Sequence, residues 1–476
     1  MKGTFGASAM VVAMCSTLAA AQTSCRNVLA PAYKPPVVAA GWQAQIVASG
    51  MQKPRTLEFD SAGGLLVLDA GRGVFRLTFK DNGGTCLEVD QTTVVVNNTA
   101  LNHGMALSTD GRTLYASTVQ SVFRWSYDAG TGRVAAGGPQ EVVANMRNNA
   151  QTTRTLLMSR RAGGQLVVTR GSSAELDPAA LSLDSGLSQI RAFDTTRLGP
   201  GSGAMDFASE GRRLGWGLRN SVAVAEHPVT GGIYSMDNTA DGIVREGVDV
   251  SFWNPGEELN FHGYLNGSTQ DQGGNYGYPT CFAVRNVTTI PNSGSLKVGD
   301  QFGANTDGSN SDEACAANYT APRLTFPAHF APMDIKFNQD GSTAFLSFRG
   351  SLNKSNPVGY LVAAVDFDKD RGEPTAERTS VTSLKPIISN DLVGQGHTCP
   401  DTCMRPVGMN WDSRGRLWVA ADSTGEIYVL ERQSGTPTDS DSGVMVTKPA
   451  NSAAAAAPFL SWILAVCMAM AANTLL

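Results

Sequence analysis

The chain has 476 residues, with 37 Lys and Arg against 42 Asp and Glu, a net charge of −5, and only 17% charged residues, against roughly 25% in an average domain. With 42% apolar residues it is not a disordered polyelectrolyte, and its slight acidity argues against a nucleic-acid partner gripped through phosphates. Glycine at 51 positions with aromatics at 7% favours many turns and short strands over long helices.

From the N-terminus, Lys2, the apolar run from Ala7 to Leu18 and the small-residue step Ala19-Ala20-Ala21 read as a secretory signal over residues 1–21. Setting aside Cys15 in the signal and Cys467 near the C-terminus leaves Cys25, Cys86, Cys281, Cys315, Cys399 and Cys403. An even set in an exported chain implies disulfides, and proximity along the chain favours Cys25 with Cys86, Cys281 with Cys315 and Cys399 with Cys403. Acceptor sequences for N-glycosylation stand at Asn97, Asn266, Asn286, Asn318 and Asn353.

The body, residues 22–432, repeats one grammar. Leu57-Glu-Phe-Asp-Ser-Ala-Gly-Gly-Leu-Leu-Val-Leu-Asp alternates into a glycine turn and a second strand, and the pattern returns at Met105, Thr155, Val222, Met333 and Met409. Each copy is a hairpin of short strands that cannot bury its apolar faces alone, and radial stacking of six copies hides them. The expected fold is all-β, a six-bladed β-propeller with long inserted loops. Its longest insertion is expected between residues 237 and 332, where structured loops on a rigid frame tend to carry function.

Beyond the body, residues 433–451 read as a flexible stalk of Ser, Thr, Asp, Pro and Gly. Residues 452–476 end in an apolar tail with no basic residue after it, the pattern of a glycolipid (GPI) anchor signal, with Asn451 the leading attachment residue and Ser442 or Gly443 next. A plain membrane anchor is the alternative. Either way the folded part is expected outside the cell, with the membrane touched only through this tail.

Five histidines exist, His103, His227, His262, His329 and His397. His227 in a hairpin loop and His397 beside Cys399 read as structural or surface residues. His103 (Leu-Asn-His-Gly) and His329 (Pro-Ala-His-Phe-Ala-Pro) stand at the entry to the first strand of a blade and are the candidates for proton transfer. Comparable entries carry Arg55, Arg154, the pair Arg219-Asn220, and Arg405. Arginines at this repeated step would gather at one mouth of the channel and suit a small ligand with several carboxylates. Between them, Trp253-Asn-Pro-Gly-Glu-Glu-Leu-Asn260 offers carbonyls and hard side-chain oxygens, a set that suits Ca²⁺ better than zinc.

Gly-Leu-Arg-Asn-Ser-Val-Ala-Val, Pro-Gly-Glu-Glu-Leu-Asn with Asn-Tyr-Gly-Tyr-Pro, Pro-Ala-His-Phe-Ala-Pro, Met-Arg-Pro-Val-Gly and Thr-Thr-Arg-Thr-Leu together resemble the glucose/sorbosone dehydrogenase group. The resemblance is strongest to the secreted fungal pyranose dehydrogenases that use pyrroloquinoline quinone, and it spans residues 41–432. It implies a propeller that binds this quinone and Ca²⁺ at the channel mouth, oxidises an aldose at its anomeric carbon, and passes electrons to an external acceptor such as a cytochrome. It further implies that Arg219 and Asn220 flank the reactive quinone carbonyl, that Arg55 and Arg405 hold the cofactor carboxylates, that His329 lies near the sugar, and that carbonyls near Asn254 and Pro255 hold Ca²⁺.

The chain departs from that pattern at Gln151, where the resemblance places the catalytic histidine, at Leu187, and at Phe348-Arg349-Gly-Ser-Leu352. Gln cannot take a proton at neutral pH. Three readings follow: a dehydrogenase whose base is His329 or His103, a surface propeller that binds quinone or sugar without turnover, and a Ca²⁺-dependent lactonase.

Overall fold

The computed structural model describes residue 25 and residues 28–199, 201–304, 310–352, 357–392 and 398–433. The signal, stalk and anchor expectations, His397 and Asn353 fall outside the described residues. Those described form six blades, each a sheet of at least four strands, whose inner strands are Pro54–Phe59, Met105–Leu107, Leu156–Met158, Ser221–Glu226, Pro332–Phe337 and Pro406–Trp411. These six starts coincide within a few residues with the six repeats read from the sequence. Helix is confined to short turns, the longest being Asp312–Asn318.

The four main strands of each of blades I to V follow in chain order, with the insertion after Asp237 supplying the third and fourth strands of blade IV, Glu257–Tyr264 and Leu324–Phe326, while Met205–Asp206 and Val37–Val38 are added from elsewhere in the chain to blades II and V. The expected 237–332 insertion is therefore corrected: it is interleaved with the blade. Its loops pack a small apolar unit of their own around Tyr278, Phe282, Ile290 and Phe302, and Gly274–Asn275 reaches back to pair in parallel with Arg212–Trp216 of blade III. Blade VI takes its outer strand from the other end of the chain: Trp42–Ala48 pairs antiparallel with Glu426–Arg432. That pairing closes the ring and leaves no open sheet edge between the first and last blades.

The strands alternate, and both faces of each sheet are covered, so the core is divided into layers between blades. Six clusters of buried apolar residues occupy the six interfaces. Between blades VI and I, Trp418 packs edge-on against Phe59 and Phe79 at 5.3 and 4.9 Å. Burying a side chain of this size is worth about 1.5–3 kcal/mol.

A polar clasp repeats at the centre. Side-chain hydroxyls or amides donate to the backbone carbonyl at the inner-strand entry of the next blade: Thr56 to His103 O (2.6 Å), Ser117 to Arg154 O (2.8 Å), Thr155 to Val222 O, Asn238 to Pro332 O (2.7 Å) and Ser347 to Val407 O (2.6 Å). At the remaining junction, blade VI to blade I, Gly408 lies where a Cβ would come within 2.0 Å of Arg55 O. The backbones there approach too closely for any side chain. The three disulfides join Cys25 to Cys86, Cys281 to Cys315 and Cys399 to Cys403, the pairings expected from chain proximity.

Candidate active site

Inner strands begin, and second strands end, at the same end of the channel. In blades I, IV and VI the second strand runs into an aspartate, Asp69, Asp237 or Asp422. Asp69 accepts from the N–H groups of Gln52 and Lys53 at 3.0 and 2.6 Å. Asp237 accepts from the N–H groups of Arg219 and Asn220 at 2.9 and 2.8 Å and from Ser221 Oγ at 3.0 Å. The carboxylate thus fixes the turn that presents the Arg-Asn pair, the job a cap performs at a helix end.

Asp422, almost wholly buried, receives Arg55 through Nη1 and Arg349 through Nε, the latter at 2.9 Å. Arg55 Nε also donates to His103 Nδ1 at 3.2 Å. Arg405 donates to the carbonyls of Arg349 (3.0 Å) and Gly350 (2.7 Å), and its guanidinium lies 5.5 Å from the Tyr360 ring centroid. Burial, with the Arg349 charge next, pushes the Arg405 guanidinium down to about 10, and burial lowers Arg55 as well. Arg405 stays cationic at neutral pH.

Arg219 donates Nη1 to the consecutive carbonyls of Asn238 (3.2 Å) and Thr239 (3.0 Å) and Nη2 to Glu175 (2.5 Å), while its buried Nε has no partner. Glu175 also accepts from Asp241 N–H at 2.7 Å. Asp241 Oδ1 in turn lies 3.2 Å from His329 Nδ1. His329 and Ala331 adopt φ of 65° and 54°, a left-handed conformation that costs energy in residues with a Cβ and that clusters at functional sites. Two contacts hold the segment there: Ala331 N–H donates to Glu257 at 3.0 Å, and Ala331 O accepts from Arg349 N–H at 2.9 Å. That second contact joins the Arg219 group to the Arg55–Arg349–Arg405 group.

Gln151 and Asn220 meet over Gly171, where a Cβ would lie 2.6 Å from Gln151 Cβ and 3.0 Å from Asn220 Oδ1. The structure therefore places Gln151, Asn220, Arg219 and His329 in one connected group, with Arg55, His103 and Arg405 beside it. Arg154 is corrected. It is fully buried and donates to the carbonyls of Met146, Gln151 and Thr153 and to Asn148, so it is a bracket inside blade III. Arg349 takes its place among the clustered cations.

The two candidate bases differ. His103 is 3% exposed, and burial followed by the Arg55 charge holds it well below the usual histidine range. Its ring is engaged by Arg55 and by the Val222 backbone. His329 is partly exposed, and the hydrogen bond to Asp241 raises its affinity for a proton. Of the others, His227 bonds to Gly341 O at 3.0 Å, and buried His262 bonds to Ser235 Oγ at 2.7 Å.

Beneath Arg219, burial raises Asp237 to about 6, Glu257 to about 7 and Glu258 to about 8, with the Asp237 charge adding to the Glu258 shift. Among the described residues no group of three or more His, Cys, Asp or Glu side chains is arranged to hold a metal. Asn254 is buried, and its carboxamide is spent on Arg285, Asn286 and Thr289. Pro255 O accepts from Thr239 Oγ1 at 3.5 Å. The donor set that suits a hard cation is the Asn238 and Thr239 carbonyls, which already accept a cationic group, with Glu257 bonded to Thr239 N–H at 3.0 Å. The clustered guanidinium groups and the unpartnered Arg219 Nε suit a polycarboxylate quinone.

Sequence reasoning did not single out Asp237, Asp422, Asp241, Glu175 or, as a positive contributor, Arg349. One signal was present: the second-strand runs Leu-Leu-Val-Leu-Asp69, Ile-Tyr-Ser-Met-Asp237 and Leu-Trp-Val-Ala-Ala-Asp422 all close on aspartate.

Known proteins share this architecture. The chain is 47% identical over 415 residues, 87% of its length and 93% of the relative's, to a pyrroloquinoline quinone-dependent sugar dehydrogenase of Hypocrea jecorina. The calcium structure of a Trichoderma reesei member of Carbohydrate-Active Enzymes Family AA12 superposes with a TM-score of 0.82 at 48% identity, covering 86% of this chain and all of that one. The holo form of the quinone domain of Coprinopsis cinerea pyranose dehydrogenase superposes with a TM-score of 0.79 at 30% identity, covering 86% and 99%. The TrAA12-like family matches residues 36–433, and the chain belongs to that family, the group of pyrroloquinoline quinone-dependent sugar and pyranose dehydrogenases.

Proposed function

We propose that the protein oxidises an aldose at its anomeric carbon, using pyrroloquinoline quinone and Ca²⁺, and hands the electrons to an external acceptor such as a cytochrome. The observation that carries this reading is the Arg219–Asn220 pair, fixed by Asp237 and adjoining both Gln151 and the His329–Asp241 pair. When bound, the quinone supplies a two-electron acceptor. Arg55, Arg349 and Arg405 would hold its carboxylates, and Arg219 with Asn220 would face its reactive end. Ca²⁺ would sit among the Asn238 and Thr239 carbonyls, with the carbonyls of Asn254 and Pro255 the neighbouring alternative.

The protein's own part is acid–base and electrostatic. His329, oriented by Asp241, takes the hydroxyl proton of the sugar, and Arg219 stabilises negative charge that develops beside it. The disulfides suit an oxidising compartment, and we place the folded domain outside the cell on that support.

The test is to add quinone and Ca²⁺ to the purified propeller and record the absorbance of the bound quinone before and after an aldose. Bleaching by sugar is the expected result, and a bound spectrum that no sugar alters would overturn it. Gln151 favours a second reading, a propeller that binds without turnover. Gln151→His separates the two: sugar bleaching that appears only in this variant assigns the natural protein to the binding reading.

A further inference from the structure

We infer that Tyr360, held in place by Asn390, is a positioning residue for the quinone's carboxylates: its hydroxyl fixes the loop 349–351, and that loop aims Arg405. This rests on the reading above that Arg349 and Arg405 receive those carboxylates.

Tyr360 is fully buried, and its φ of 58° lies in the left-handed region that a residue with a Cβ occupies only when its surroundings impose it. Two glycines make room for it. A Cβ on Gly350 would lie 2.3 Å from Tyr360 Cδ1, and one on Gly359 would lie 2.8 Å from Gly350 Cα, so the ring lies directly against the loop. Asn390 holds the backbone: its N–H and its carboxamide both donate to Tyr360 O, at 3.1 and 3.2 Å. The same carboxamide donates to Met404 O at 2.6 Å and accepts from Met404 N–H at 3.2 Å, which ties Tyr360 to the residue before Arg405. Cys399 and Cys403 complete the buried cluster around the ring.

The hydroxyl carries the contact to the site. Tyr360 OH donates to Ser351 O at 2.5 Å. Arg405 donates Nε to Arg349 O at 3.0 Å and Nη2 to Gly350 O and Ser351 O at 2.7 and 3.3 Å. Three consecutive carbonyls thus grip one edge of the guanidinium and leave Nη1 without a partner among the described residues. The loop is pinned at its start, where Arg349 and Gly350 N–H donate to Ala331 O and Phe330 O, both at 2.9 Å. At its end the restraints are Tyr360 OH and the bonds between Ser351 and Val358. A carboxylate gains most from an arginine whose donors are already aimed, because little freedom is then left to lose on binding.

The measurement titrates the quinone-free protein, with Ca²⁺ present and no sugar, with the quinone and separately with its trimethyl ester, which has the same rings and no ionised carboxylate. Tyr360→Phe keeps the ring and deletes the hydroxyl. The expected result is a quinone Kd raised about five- to thirtyfold and an ester Kd moved by less than about twofold. Asn390→Ala, which releases the Tyr360 and Met404 backbone, should show the same selective loss. Variants that bind the acid as tightly as the natural protein, or that lose both ligands equally, overturn the positioning role, equal loss being the mark of a support for the fold alone. Arg405→Ala supplies a second readout. In its background Tyr360→Phe should weaken quinone binding by no more than about twofold further, and a full additional loss overturns the proposal, because Tyr360 would then act through another group. A natural protein that binds neither ligand overturns the quinone reading as well, whereas tight binding that no variant alters overturns this proposal alone.

Discussion

His329 and Asp241 show how one pair sets a pH response. The Asp241 hydrogen bond raises the proton affinity of His329 above the usual histidine range, so a base at this position is delivered in its neutral form only at higher pH. Asp241→Asn removes the charge and should shift the acid limb of the kcat/KM profile to lower pH, with lower turnover at its plateau. A limb that does not move shows that His329 is not the group titrating. The buried carboxylates act on stability. Asp237, Glu257 and Glu258 have folded pKa values raised to about 6, 7 and 8, so their contribution is complete below the unfolded carboxylate range and is lost as pH rises through those values. The buried histidines His103, His227 and His262, lowered by burial, act in the opposite direction but only below their unfolded value near 6.5. Between pH 6.5 and 8 the carboxylates therefore dominate, and the cofactor-free protein should lose on the order of 1 to 3 kcal/mol. Urea titrations at the two pH values measure it. Added Ca²⁺ should reduce the loss, because a cation beside Glu257 favours its ionised form. Arg55, Arg219, Asn220 and His329 stood out in the sequence as residues at repeated blade entries. Their partners were not legible there, because Asp241, Glu175 and Asp422 come from other loops and nothing local in the sequence says which cation each will meet.

At the scale of elements, the strand pattern carries the blades because each strand is buried on both faces and its apolar run is uninterrupted. The inner strands were legible for that reason. The outer strands of blade IV were not, because loops with their own apolar cluster interrupt them, and a chain-order reading treats all of that as one insertion. The central clasp was not legible either, since Thr56, Ser117, Thr155, Asn238 and Ser347 have no local role and find their acceptors only after adjacent blades pack. Ser347 is the cleanest to test. Its hydroxyl is fully buried and donates to Val407 O at 2.6 Å, joining blade V to blade VI. Ser347→Ala leaves that carbonyl without its donor and adds no bulk. The expected loss is about 1 to 3 kcal/mol in urea unfolding, with the quinone site unchanged. A variant as stable as the parent would mean that the backbone contacts alone hold the blades in register.

For the whole molecule, the sequence suggests arginines gathered at one mouth, and the structure adds the acidic partners that stand among them. Four guanidinium groups are gathered there against three carboxylates: Asp422 is shared by Arg55 and Arg349, Glu175 pairs with Arg219, and Asp241 stands beside His329. The arginines are aimed more than they are charged, so they supply hydrogen-bond geometry for carboxylates while adding little net field at a distance. A site that steers a polyanion by field raises its association rate by about 10- to 1,000-fold and loses that gain as salt shortens the screening length from roughly 30 Å at 0.01 M to about 8 Å at 0.15 M. Here the association rate of the tricarboxylate quinone should fall by less than about threefold over that range, measured by stopped-flow absorbance. Asp422→Asn provides the contrast. It leaves Arg55 and Arg349 without their counter-charge, so its association rate should become salt-sensitive, and its dissociation should quicken because the two guanidinium groups lose the carboxylate that fixes their direction. A wild-type rate that falls tenfold or more with salt would show that the mouth works by long-range attraction, and that the internal pairs leave most of its positive field intact.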